Sequence, residues 1–167
     1  DSLVIRIEMT PPEAGTNEPL YFKDRLLFTL ENGAQQSVVL SGGAIDAYIE
    51  RDGIIIDSDE TLLTDKPYVI YDSLVVKPGA TLTLTEGTTL MFHDKAALHV
   101  YGKLLVKGSL EKPVVLRGDR MDHMFDYLLY DNTPSRWEGI IIHRGSYGNE
   151  LFHCDLHSSC FGIICED

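Results

Sequence analysis

The sequence predicts an all-β protein built mainly as a parallel β-helix, a solenoid of about three coils. The first observation is a series of alternating apolar pairs, at offsets of 8, 8, 8, 6 and 10 residues. These pairs are Leu74/Val76, Leu82/Leu84, Leu90/Phe92, Leu98/Val100, Leu104/Val106 and Val114/Leu116. Short period-two apolar runs bounded by Gly, Pro and Asp clusters are typical of β-strands joined by turns.

The second observation is a longer recurrence, which distinguishes a solenoid from a chain of hairpins. Leu74 precedes Leu98 by 24 residues, Leu82 precedes Leu104 by 22, and Leu90 precedes Val114 by 24. A period of about 20 to 25 residues with three strands per unit indicates coils that stack and pair in parallel. The alternative is a β-sandwich of short hairpins.

Two segments also resemble a known class of proteins. Residues 72–93 contain Leu-Val-Val-Lys-Pro-Gly-Ala-Thr-Leu, and residues 98–116 contain Gly-Lys-Leu followed by Gly and Pro-Val-Val-Leu. Together with Trp137-Glu-Gly-Ile, these segments resemble right-handed parallel β-helix repeat proteins. The chain is most similar to uncharacterised cell-envelope lipoproteins of gut bacteria, in which an immunoglobulin-like segment precedes the helix. The resemblance covers most of residues 20–165. It implies the fold and the handedness of the coils, and it is nearly silent on activity.

Composition bears on partners and on location. The chain has 167 residues, 44% of them hydrophobic, with 14 basic and 26 acidic side chains and a net charge of −12. Such a surface repels nucleic acid and anionic lipid, so we expect no nucleic-acid partner. No apolar run reaches the roughly 18 to 20 residues of a membrane span, so we expect no transmembrane segment. Together with the resemblance, this favours a secreted or surface-anchored protein of the cell envelope.

The chain is expected to form two domains. Residues 1–50 predict a small antiparallel unit of about four strands, a partial immunoglobulin-like domain or a cap. Within it, Glu31-Asn32-Gly33 predicts a hairpin turn because both central residues of such a turn need positive φ, and Gly42-Gly43 predicts a break. Residues 51–167 predict the β-helix, which ends on the strand-like run 161–167. We expect truncation there and self-association, end to end or edge to edge, through an uncapped last coil.

The best candidate for a functional region interrupts the ladder between Leu116 and Trp137. One coil there carries roughly 18 extra residues, and long loops on rigid scaffolds are often functional. The candidates for ligand contact are Asp119, Asp122, His123, Asp126, Tyr130, Asp131 and Trp137. Carboxylates with aromatics suit a glycan site or a two-carboxylate hydrolase, and their oxygens suit calcium. The favoured interpretation of this segment is nevertheless a short amphipathic helix with solvated acids, since five apolar residues from Met121 to Leu129 have helical spacing. For Trp137, packing over a coil corner is favoured over sugar stacking.

Two further patterns offer chemistry that we do not favour. His153, Asp155 and His157 would share one face of a strand, as a metal or acid–base cluster or as an ordinary polar surface. Cys154, Cys160 and Cys165 resemble a zinc-binding string, but reduced core thiols are the favoured interpretation, with one disulfide as an alternative. The remaining histidines are scattered along the sequence. We predict no catalytic residues, no metal and no cofactor.

Two functions from different classes follow. The first is a non-catalytic surface module for adhesion, whose partner is a glycan or a surface protein. The second is a polysaccharide lyase or glycoside hydrolase that uses the acidic loop 117–136. We prefer the first because fold alone does not carry function and no outer-face catalytic constellation is evident.

Overall fold

The structure is a computed structural model that describes residues 4–8, 10–13, 15 and 19–167. The chain divides into two compact units, Asp1–Asp46 and Ala47–Asp167, and each is described by itself. The sequence placed this division at residue 50. The strand Tyr48–Glu50 belongs to the second unit because it pairs in parallel with Tyr68–Ile70. In the described part of the chain, no helix has the length and apolar character needed to cross a membrane.

The first unit contains one long antiparallel hairpin. Strand β1 (Leu20–Thr29) pairs with β2 (Gln35–Ala44), and Gly33 adopts φ +83° in the turn between them. The turn lies at the predicted position, but its predicted type is wrong, because Gly33 has positive φ and Asn32 does not. The described residues of this unit hold two strands rather than four. One of the predicted strands covers residues 3–9. Residues 4–8 are exposed and not in a strand, and positions 3 and 9 lie outside the described residues.

Gly42-Gly43 does not break the second strand as predicted. Both glycines lie inside β2, opposite Phe22 and Tyr21 of β1. The Tyr21 ring lies 3.4 Å from the position that a Cβ on Gly43 would occupy. An aromatic side chain that covers a cross-strand glycine compensates for the missing side chain, so the strand continues through the pair.

The second unit is a parallel β-solenoid of about five turns. Its strands are, in chain order, β3 (Tyr48–Glu50), β4 (Ile54–Ile56), β5 (Glu60–Thr61), β6 (Tyr68–Ile70), β7 (Leu74–Val76), β8 (Thr81–Thr85), β9 (Thr89–Phe92), β10 (Ala97–Val100), β11 (Lys103–Lys107), β12 (Val114–Gly118), β13 (His123–Phe125), β14 (Leu128–Leu129), β15 (Gly139–Ile142), β16 (Glu150–Phe152), β17 (Cys154–Leu156) and β18 (Ile163–Cys165). They form three parallel sheets in the orders β4-β7-β10-β15-β18, β5-β8-β11-β16 and β3-β6-β9-β12-β17.

Four complete coils result, made of β4–β6, β7–β9, β10–β12 and β15–β17, with β3 and β18 as parts of further turns. The sequence indicated about three. The additional coils use strands of two to four residues, which are too short to display a clear period-two pattern. Strands β4 and β6 of the first coil fall where the sequence placed the opening of the helix.

The interior is a stack of apolar side chains in register. Leu74 pairs with Leu98, and Leu82 pairs with Leu104, as the recurrences of 24 and 22 residues predict. In the third sheet Leu90 pairs with Leu116, two residues beyond the predicted partner Val114. The buried cluster runs from Ile56 to Ile140. Because each coil covers the apolar side chains of the next, the stack removes their surface from water and stabilises the fold.

Two columns of polar and aromatic residues run along the corners of the stack. One contains Arg51, Tyr71, His93 and Asp119, and the other contains Lys77, Tyr101, His143 and Glu166. In both, consecutive coils contribute a cation, a tyrosine, a histidine and a carboxylate, in that order. Along each column the tyrosine, the histidine and the carboxylate residue donate their backbone N–H to the preceding coil. We call these the corner columns.

The segment between β12 and β15 is a hairpin and not the amphipathic helix favoured from the sequence. Strands β13 and β14 pair antiparallel with a bulge, and a single 3-10 turn (Tyr130–Asn132) follows. Short apolar runs fit a hairpin as well as one side of a helix, so their spacing alone did not discriminate. The name acidic loop is kept below for residues 117–136.

Candidate functional site

The acidic loop leaves and rejoins the solenoid through two closely packed residues. At its start, a Cβ on Gly118 would lie 2.6 Å from the Cβ of Arg136, so only glycine fits without movement. At its end, the indole of Trp137 is 1% exposed and stacks on Phe92 with ring centroids 4.4 Å apart. The packing role favoured for Trp137 is confirmed. Its candidacy as a sugar-stacking residue is wrong, because no face of the ring is accessible.

Two aspartates tie the loop to the coils. Asp119 Oδ2 lies 2.6 Å from His93 Nδ1, which places the last member of the first corner column at the root of the loop. Asp131 lies near the other end, where Arg117 Nη2 approaches its carboxylate at 3.1 Å and His157 Nε2 at 2.9 Å. The Asp131 side chain is 17% exposed. Partly buried ion pairs hold their geometry better than fully solvated ones, so the loop is fixed at both ends.

His157 connects a second carboxylate to this group. Its Nδ1 lies 3.0 Å from Asp155 Oδ1, while its Nε2 faces Asp131. Arg117, Asp131, His157 and Asp155 therefore make a connected group of two basic and two acidic side chains. We call it the anchor cluster.

A cleft of about 460 Å³ opens beside the anchor cluster. Its lining comes from the 3-10 turn and from the segment after β17, and consists of Asp131, Asn132, Thr133, Pro134, His157, Ser158 and Ser159. The polar side chains of this lining supply hydroxyl, amide, imidazole and carboxylate groups. A concave site with a few fixed polar groups on a rigid scaffold is the usual form of a small-ligand site.

Asp122, another candidate carboxylate in the loop, forms an ion pair with Arg120. Arg120 donates to both oxygens of Asp122 at 2.7 and 2.6 Å. This guanidinium holds the pKa of Asp122 below its ordinary value. Arg120 also lies 3.9 Å above the Tyr130 ring, so one face of that ring is covered.

The tip of the hairpin presents a different surface. His123 and Asp126 are exposed there. Phe125 and Tyr127 are 54% and 85% exposed, with ring centroids 5.7 Å apart and planes inclined by 14°. The sequence did not single out these two aromatics, because an apolar residue in a short run is normally buried. Large exposed aromatic side chains are typical of contact surfaces.

The structure therefore distributes the sequence candidates over five places. Asp131 lines the cleft, Asp119 lies at the root of the loop, and Asp122 and Tyr130 are joined through Arg120. His123 and Asp126 lie at the tip, and Trp137 lies in the core. The sequence missed Arg117 and His157 as partners of Asp131 because these contacts join residues of different coils.

The proposed arrangement of His153, Asp155 and His157 on one strand face is only partly formed. Asp155 and His157 do contact each other, but His153 adopts φ +47° before β17 begins. This left-handed residue breaks the alternation between β16, where Phe152 is exposed, and β17, where Cys154 packs against the core. Across the described residues, no three His, Cys, Asp or Glu side chains are arranged to hold a metal ion.

The three cysteines are free thiols in this structure. Cys154 is partly buried against the core, as a core thiol should be. Burial, with a smaller effect of the Asp155 charge, raises its pKa to about 11. Cys160 and Cys165 are exposed, so the interpretation of all three as core thiols is wrong for these two. They lie in the last turn, where the described chain places no further coil over them.

Comparison with known proteins places the chain in no family. No protein-family model matches it, and no solved structure matches it. A stretch of 60 residues, 35% of this chain, is 38% identical to Protein bark beetle of Drosophila melanogaster. The matched stretch spans 2% of that much longer protein. The similarity is therefore local.

Proposed function

We propose that this protein is a non-catalytic surface module of the cell envelope that binds glycans through the acidic loop and its cleft. The observation that carries the proposal is the cleft itself. It is formed where Asp131 contacts Arg117 at the start of the loop and His157 of the solenoid, and its lining includes hydroxyl and amide groups. Sugars are recognised by such groups, and a pre-formed site avoids the entropy cost of ordering a loop on binding.

The state of the carboxylates supports binding over catalysis. A glycosidase needs one carboxylic acid with a raised pKa to protonate the leaving oxygen. Arg120 donates to both oxygens of Asp122 and lowers its pKa. A carboxylate that accepts from a guanidinium favours the ionised form, so Asp122 is a poor general acid.

The exposed aromatics of the tip supply the second part of the contact surface. Phe125 and Tyr127 offer rigid rings at low entropic cost, which suits stacking on sugar rings or on a protein surface. The position at the cell envelope and the likeness to envelope lipoproteins with an immunoglobulin-like segment are parts of this proposal. They are supported by the solenoid fold and by the resemblance of residues 72–116. Fractionation of the native cells, with detection by antibody, tests the location.

Binding is tested on a glycan array with the purified chain, followed by calorimetry on the best ligand. We expect selective binding that Tyr127→Ala or Asn132→Ala weakens about fivefold, since one stacking or hydrogen-bond contact contributes about 1 kcal/mol. Tyr147→Ala is the matched control, because Tyr147 is 80% exposed outside the loop and cleft. Binding that all three variants weaken equally would contradict this site.

A reducing-sugar assay on the same glycans tests the enzyme alternative. We expect no release of reducing ends. Turnover that is abolished by Asp122→Ala or Asp126→Ala would replace the binding module by a polysaccharide-processing enzyme.

A further inference from the structure

We infer that the cleft selects uncharged sugars and discriminates against uronates and sulfated sugars. This inference rests on the proposed function and adds the class of ligand. It is carried by the charge balance of the anchor cluster and by the chemistry of the remaining lining residues.

Each basic side chain of the anchor cluster already contacts a carboxylate of the protein. Arg117 Nη2 lies 3.1 Å from Asp131, and His157 lies within 3.0 Å of both Asp131 and Asp155. Arg117 and His157 both face carboxylates, so neither basic side chain lacks an acidic partner. A carboxylate or sulfate entering the cleft would therefore find Arg117 and His157 already in contact with Asp131 and Asp155.

The rest of the lining is neutral and offers both donors and acceptors. The Oγ atoms of Ser158 and Ser159 accept from the N–H groups of Gly118 and Gly162, which leaves each hydroxyl proton free to be donated. The Thr133 hydroxyl donates to the Tyr130 carbonyl and keeps its lone pairs available. Sugar hydroxyls both donate and accept, so this mixture matches them.

An anionic sugar would lose hydration without gaining a counter-charge. No lysine or arginine lines the cleft. Burial of an ion without a new partner is costly, whereas hydroxyl groups can exchange water for the serine, threonine and asparagine groups. The net charge of −12 on the chain adds long-range repulsion of anions.

The test uses pairs of oligosaccharides that differ only at C6. Galactose and glucose oligomers are compared with the corresponding galacturonate and glucuronate oligomers by calorimetry at pH 5.5, where the uronates are ionised. We expect the uncharged oligomer of at least one pair to bind at least tenfold more tightly than its uronate. Equal or tighter binding of the uronates would overturn the inference and leave glycan binding standing. Binding of neither class would overturn the proposed function and the inference with it.

A pair of charge variants tests whether the anchor cluster is the source of selectivity. Asp155→Asn removes one anion from the cluster and retains the Asp131 contacts of the loop, so we expect the preference for the uncharged sugar to fall at least threefold. Glu150→Gln changes the net charge equally at an exposed position of β16 outside the cleft and should leave the preference unchanged. Tryptophan fluorescence confirms folding of both. Equal effects of the two variants would assign the selectivity to net charge and overturn the role of the cluster.

Discussion

His99 and His143 share one hydrogen bond on the outer face of the first sheet, with His99 Nδ1 lying 3.0 Å from His143 Nε2. The Nδ1 of His143 lies 2.9 Å from Glu166 Oε2 and donates to this carboxylate. The centroids of the two imidazole rings are 5.2 Å apart, and their planes are inclined by 20°. The result is a connected chain Glu166–His143–His99, in which His143 also stacks on Tyr101 with centroids 3.8 Å apart.

This arrangement makes stability depend on pH. Burial, and secondly the neighbouring His143, lower the pKa of His99 from 6.5. The unfolded chain therefore binds a proton at His99 more readily than the folded chain does. The contribution of His99 to the free energy of unfolding is fully present above pH 6.5 and is lost as the pH falls. His143 lowers the pKa of Glu166, so the contribution of that group is present above its ordinary value of 4.5 and disappears at more acid pH.

We expect His99→Gln to reduce the slope of unfolding free energy against pH between pH 7 and 5. The reduction should be smaller than the about 1.4 kcal/mol per pH unit of one whole proton, because the ring is only partly buried and solvent screens it. Urea unfolding at several pH values measures the slope. His123→Gln, at the exposed hairpin tip, is the control, and an equal change in both variants would contradict the role of His99.

Gly102 should be nearly irreplaceable. A Cβ at this position would overlap the carbonyl oxygens of Lys77 and Ala80 in the coil below, and backbone atoms cannot move aside cheaply. We expect Gly102→Ala to lower the unfolding free energy by about 3 kcal/mol. Gly79→Ala is the comparison. Gly79 has φ +83° but open space around it, so the cost there should be only about 1 kcal/mol. A larger loss of unfolding free energy for Gly79→Ala than for Gly102→Ala would contradict the view that the close approach of neighbouring coils at Gly102 sets the cost.

The three thiols should differ in reactivity. Cys154 is partly buried and its pKa is raised to about 11, so very little thiolate is present at pH 8. We expect a disulfide reagent to modify two thiols quickly, Cys160 and Cys165, and to modify Cys154 at least tenfold more slowly. Mass spectrometry of the modified peptides identifies the sites, and all three should react together in denaturant. Rapid modification of Cys154 in the folded chain would contradict its place against the core.

Trp137 should affect stability and not ligand specificity. Its indole is buried on Phe92, and Nε1 donates to the His157 carbonyl at 2.9 Å. We expect Trp137→Ala to cost about 3 to 5 kcal/mol, from lost apolar contact and a cavity. Thermal unfolding followed by circular dichroism measures the loss. Tyr147→Ala removes an exposed aromatic side chain and should change stability by less than about 0.5 kcal/mol.

The solenoid could be predicted because its interior repeats locally. Leu82 and Leu84 show the strand, and their distance from Leu104 shows the stacking, so two simple periods give both strands and register. The hairpin at 123–129 could not be predicted in the same way. Its apolar residues are few, and a run of this length fits either one turn of helix or two short strands.

The polar contacts were beyond the sequence for a different reason. His99 and His143 are 44 residues apart, and His157 and Asp131 are 26 apart. Inserted residues change the spacing between the third and fourth coils, so no fixed period aligns these side chains. Predicting these contacts from the sequence would require the number of loop residues that lie outside the stacked coils.

The corner columns restrict the register in which the strands of the solenoid pair. An interior of alternating leucines and valines tolerates a slip of one strand by two residues, because apolar side chains still point inward. The columns do not tolerate it. A slip at β10 would take Tyr101 off His143, and a slip at β9 would take His93 away from Asp119. The side-chain contacts among Arg51, Tyr71, His93 and Asp119, and among Tyr101, His143 and Glu166, therefore favour one register of strand pairing along two edges of a stack whose apolar interior accepts several.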